Sequence, residues 1–73
     1  MKNLKEYDAE YEDSGRAVDR TVWIYSQWLK DNGLKSCKDD GYLEALEEAE
    51  QTDRGLSAVI ALGYRLLLWP IAF

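Results

Sequence analysis

The last eighteen residues constrain this chain more than any other part of it. From Leu56 to Phe73 the sequence "LSAVIALGYRLLLWPIAF" is apolar on nearly every side, with a single arginine, Arg65, near its middle. A membrane span needs about twenty mostly apolar residues, so length almost suffices. The energetics do not. Nine Leu, Ile, Val and Phe side chains contribute roughly −4 kcal/mol to insertion, and a central arginine costs about +2.5 to +3.5 kcal/mol. Ser57, Gly63 and Pro70 erode the remainder, and no Lys or Arg follows as an anchor. The segment therefore reads as the central helix of a small bundle. In helical projection Leu56, Ile60, Gly63 and Leu67 share one side, with Val59, Leu62, Leu66 and Trp69 beside them. Ser57, Ala61 and Arg65 form a smaller, partly polar strip. A buried, unpaired guanidinium is too costly to keep. Arg65 accordingly calls for solvent or for a carboxylate on the preceding helix, with Glu44, Glu47 and Glu48 as candidates.

Glycines and one proline divide the rest. Between Gly15 and Gly33, Val18, Val22, Tyr25 and Leu29 recur at helical spacing, with Ala17, Ile24 and Trp28 widening the stripe. Asp13 or Ser14 is the expected cap at its start. At its end "DNGL" places Gly33 where a left-handed residue is wanted and Leu34 where the accompanying apolar contact falls. From about Asp40 to Gln51, "DGYLEALEEAEQ" carries Tyr42, Leu43, Leu46 and Ala49 on one side and acids elsewhere, which predicts a second helix. Thr52 or Asp53 is suited to cap a third, ending near Trp69 because Pro70 disfavours helical geometry before it; one continuous helix kinked near Gly55 is the alternative. Leu4, Tyr7 and Tyr11 leave room for a short fourth helix at the start. The expectation is one all-α domain over residues 1–73: a small bundle of three helices, or four, with an apolar C-terminal helix.

Seventy-three residues bury little core. One cysteine excludes an intrachain disulfide, and the absence of histidine removes a common metal ligand. Packing or partnership must supply the stability. A formal net charge of −5 repels a phosphate backbone, so direct nucleic-acid binding is not expected and a basic protein surface is the better partner. The opening residues lack the apolar stretch of a secretory signal, which with the lone thiol points to the cytoplasm.

The charge is concentrated. Asp39, Asp40, Glu44, Glu47, Glu48, Glu50 and Asp53 occur with no basic residue among them. Like charges at helical spacing oppose the helix by a few tenths of a kcal/mol each, so the array either only solubilises the domain or serves recognition. Alignment of Gly41 with the glycine of a calcium loop puts Ser36, Lys38 and Asp40 at ligand positions and Glu47 at the bidentate end, but a lysine cannot coordinate. A di-metal carboxylate centre lacks its histidines. Cys37, between Lys35 and Lys38, has no histidine base, and so small a domain offers little room for a catalytic cleft. No catalytic residue, metal site or cofactor is expected.

What remains is a non-catalytic, acidic protein-binding module. Its expected contact residues are Asp39, Asp40, Glu44, Glu47, Glu48 and Glu50, with Trp23, which projects away from the core stripe, as the apolar anchor. The closest functional analogy is the small acidic inhibitor of phages and mobile elements, which imitates nucleic acid and occupies a basic groove of a larger protein. The alternative is a membrane-associated accessory subunit held by residues 56–73. A homodimer that covers the apolar excess of the closing helix is a third arrangement.

Overall fold

A computed structural model describes residues 2–15 and 17–72, with side chains described as far as Leu66 within the last helix. Among the described residues the chain forms four helices: α1 (Leu4–Ser14), α2 (Arg20–Asp31), α3 (Tyr42–Thr52) and α4 (Arg54–Ala72). The all-α bundle expected from the sequence is present, with the fourth helix at the N-terminus.

Asn3 starts α1, its side chain accepting from the Glu6 amide at 2.9 Å. Gly15 ends it in a left-handed conformation at φ 62°. Asp13 and Ser14 therefore belong to the end of α1 and do not cap α2. That role falls to Asp19, whose carboxylate accepts from the amides of Thr21 and Val22. The stripe begins late for the same reason: Ala17 and Val18 precede the helix and are exposed. The far end of α2 follows expectation. Gly33, at φ 67°, donates to the Lys30 carbonyl at 3.0 Å, and Leu34 donates to the Leu29 carbonyl at 2.8 Å. This is the paired closure that a left-handed glycine permits, and it folds Leu34 into the core.

Asp53 separates α3 from α4 with extended backbone, so the two are distinct helices. Its Oδ1 accepts from the Leu56 amide at 3.2 Å and its Oδ2 from the Leu4 amide at 2.8 Å. One carboxylate thus caps the starts of α4 and α1, while its own amide donates to Ala49 at the end of α3. These backbone amides, Leu4 first and Leu56 next, hold the Asp53 carboxyl below the usual carboxylate range. At its other end α4 continues through Pro70 to Ala72, beyond the expected stop at Trp69.

The core combines Tyr7 of α1, Ile24, Tyr25, Trp28 and Leu29 of α2, Tyr42, Ala45 and Ala49 of α3, and Leu56, Val59 and Ile60 of α4. Trp28 is its centre, fully buried, stacked on Tyr25 and edge-on to Tyr42 at 5.6 Å between ring centroids. The Trp28 Nε1 has no acceptor among the described residues. That costs about 1–3 kcal/mol, less than the roughly 4–6 kcal/mol a ring burying 150–250 Å² contributes. Tyr25 and Tyr42 satisfy each other, their hydroxyls 3.0 Å apart, and Tyr7 donates to Asp31 at 2.7 Å. Burial first, and these bonds second, push the Tyr7 and Tyr25 phenols well above their ordinary range.

The α2–α4 crossing is tight at buried Gly63, which lets the backbone of α4 approach Tyr25 and Thr21. Leu62 and Leu66 remain about half exposed, so the bundle does not cover the apolar helix completely. The expected core role of Trp69, and the placing of the Leu67, Leu68, Ile71 and Phe73 side chains, lie outside the described residues. Among those described, no helix is long and apolar enough to cross a membrane.

Candidate functional site

The candidate acids lie on α3 and in the loop before it, and the structure separates them into three settings. Glu44, Glu47 and Glu48 are exposed on the side of α3 facing away from Tyr42, Ala45 and Ala49. No cation among the described residues pairs with any of them. Three acids of α1 and α2 differ: Asp8 pairs with Arg20, Glu10 with Lys2 at 2.7 Å, and Asp31 with Lys2 at 3.6 Å, whereas Glu6, Glu12 and Asp13 make no ion pair among the described residues. Arg20 holds the Asp8 carboxyl below its usual range.

Asp39 has a different use. It is half-buried, and its Oδ2 accepts from the Lys35 amide at 2.7 Å, which folds the loop between α2 and α3. Asp40 beside it is exposed. Glu50 faces yet another way, into a groove of about 610 Å³ between α3 and α4. The α3 wall of this groove is Tyr42, Leu43, Leu46 and Glu50; the α4 wall is Ser57, Ile60, Ala61, Tyr64 and Arg65, and Cys37 of the preceding loop completes it.

Two expectations change here, for Leu43 and Trp23, and for Arg65 the solvent alternative holds. Leu43, assigned to the buried side of its helix, is 72% exposed: at one hundred degrees per residue it lies beyond the Tyr42–Ala45–Ala49 face and reaches only the rim of the groove. Arg65 is exposed in the groove wall and makes no ion pair with Glu44, Glu47 or Glu48; solvent satisfies it. Trp23 does not join the acids. It packs partly against the core, 5.5 Å from the Tyr11 ring, so the exposed apolar residue beside the carboxylates is Leu43.

The groove was only partly legible. The Ser57–Ala61–Arg65 strip follows from helical spacing, but Leu43, Leu46 and Tyr64 as its companions depend on how α3 lies against α4. Chemically the surface offers an apolar cleft with an acid at one end and a base at the other, beside an outward row of carboxylates. Among the described residues no group of three or more Cys, Asp or Glu converges on a metal-sized site. Comparison with known protein families, with curated proteins and with solved structures gives no match.

Proposed function

We propose that this chain is a non-catalytic, acidic protein-binding module, in which Glu44, Glu47 and Glu48, with Asp40 at the helix start, engage a basic surface of a larger protein. The observation that carries the reading is the placing of Glu44, Glu47 and Glu48 together on the exposed face of α3, with no ion-pair partner among the described residues and with the exposed Leu43 beside them. Same-sign charge on one helix face lowers helix stability and accelerates encounter with an oppositely charged groove. Leu43 supplies apolar contact once the surfaces meet. A carboxylate row of this kind imitates phosphate, so the favoured partner is a nucleic-acid-handling protein, blocked as small phage inhibitors block theirs. The cytoplasm, where a lone thiol stays reduced, is the fitting compartment.

The test uses the full chain and a Glu44→Lys/Glu47→Lys/Glu48→Lys variant as paired baits at about 50 and 200 mM salt, with captured proteins identified by mass spectrometry. The expected result is a basic nucleic-acid-handling protein held by the wild type at low salt, and lost both at the higher salt and with the variant. The same proteins on both baits would refute the proposal.

A further inference from the structure

We infer that the groove between α3 and α4 is the contact surface for a second copy of this chain, arranged about a two-fold axis that sets Glu50 of each copy against Arg65 of the other. This surface adjoins the outward carboxylate row and shares Leu43 with it, but it uses none of the row's acids and does not depend on their role.

The argument starts from connectivity. Asp53 alone joins the two helices, so Glu50 and Ser57 lie at the end of the groove next to that link, and Arg65, two turns further along α4, lies toward the opposite end. At 1.5 Å per residue, positions 57 and 65 are separated by about 12 Å. The groove therefore carries a negative charge at one end and a positive charge at the other, with apolar walls between. A surface polarised in this way is complementary to itself when turned end over end, which is the operation of a two-fold axis. Ala61 is midway between Ser57 and Arg65, at the position such an axis would cross. It is small and exposed, so two α4 backbones can approach there. Neither charge has an ion-pair partner among the described residues, although both line the same groove. The same rotation carries the exposed Leu43 of one copy toward the Glu50 end of the other, where its side chain leaves water. A basic peptide would satisfy Glu50 and repel Arg65, and an acidic one the reverse; a second copy satisfies both.

Sedimentation equilibrium on the full chain, with Glu50→Arg, Arg65→Glu and the combined exchange, tests the arrangement. The wild type is expected to dimerise at micromolar concentration. Each single substitution places two like-charge contacts across the axis and should weaken the dimer by about tenfold or more. The combined exchange should recover most of the wild-type affinity. Circular dichroism confirms the fold of each variant, since both positions are exposed. A wild type that is monomeric at about 100 µM overturns the inference. So does a dimer indifferent to both single substitutions, because it would use another surface.

Discussion

Replacing Gly63 with alanine sets a local gain against a tertiary loss, and the structure decides which is larger. Gly63 is within α4, where alanine is favoured over glycine by about 1 kcal/mol in intrinsic propensity. On that ground alone the substitution should stabilise the protein. A Cβ built at position 63, however, meets Tyr25 Cβ at 2.5 Å and Tyr25 Cγ at 2.9 Å, with the Thr21 carbonyl oxygen at 3.3 Å. Tyr25 Cβ cannot swing aside by a rotamer change, because it moves only with the backbone of α2. The helices must separate by roughly 0.5–1 Å, and overpacking of a dense seam costs typically 1–3 kcal/mol. With the contact made by backbone-fixed atoms the upper part of that range applies, leaving a net loss of about 2 kcal/mol. For a domain this small, that lowers Tm by about 8–16 °C. Gly55→Ala is the control: its Cβ would meet Leu4 Cδ2 at 3.2 Å and Asp53 Oδ1 at 3.3 Å, and the leucine tip can rotate away. Its expected effect ranges from none to a gain of up to about 1 kcal/mol. Thermal and urea unfolding, followed by circular dichroism, measure both variants. If Gly63→Ala matched or exceeded the wild type, α2 and α4 would not cross at Tyr25, and the core described above would be wrong.

The buried hydroxyl pair predicts non-additivity. Tyr25→Phe and Tyr42→Phe should each cost about 1–2 kcal/mol by stranding the other oxygen, and the double variant less than their sum, as denaturant unfolding would show. At alkaline pH, Tyr7 and Tyr25 favour the fold as neutral phenols, so their stabilising contribution is complete below the unfolded value of about 10 and declines above it. The phenolate absorbance contributed by these two tyrosines should therefore develop together with loss of helix. For Asp53 the sign is opposite: its depressed folded value makes its contribution present above the unfolded value of about 3.9 and lost as pH falls through the folded one. Asp53→Ala should remove that part of the acid sensitivity and speed amide exchange at both Leu4 and Leu56, an outcome that a cap serving α4 alone would not produce.

What the sequence discloses here is set by the range of the interactions. Gly33 and Leu34 were legible because the closure of α2 lies within six residues and needs only one glycine in the left-handed region. The start of α2 was misplaced because Gly15 is also a left-handed stop; a boundary glycine shows that something ends or begins, and the assignment turns on which neighbouring acid finds free amides. Asp53 was identifiable as a cap for α4, but not for α1, since the Leu4 amide is forty-nine residues away in sequence. Leu43 was misassigned for a subtler reason. An apolar residue next to Tyr42 looks like core by composition, and only the narrow Tyr42–Ala45–Ala49 face places it at the rim.

The position of the groove follows from the same distribution of side-chain sizes. Gly63 brings α4 tightly onto α2, and Ala45 and Ala49 let α3 settle onto the core without large side chains to span the space on its outer flank. Across that space α4 presents Ser57, Ala61 and Arg65, a strip with no large apolar residue to reach back. Ile60 and Tyr64 wall the cleft without filling it, and Leu43 cannot close it from the rim. Among the described residues no side chain fills the opening, so its apolar walls are left for another surface to cover. Leu43, exposed at that rim, matters because it continues the apolar walls of the groove, so that the apolar surface open to a second copy is contiguous and not a single scattered side chain.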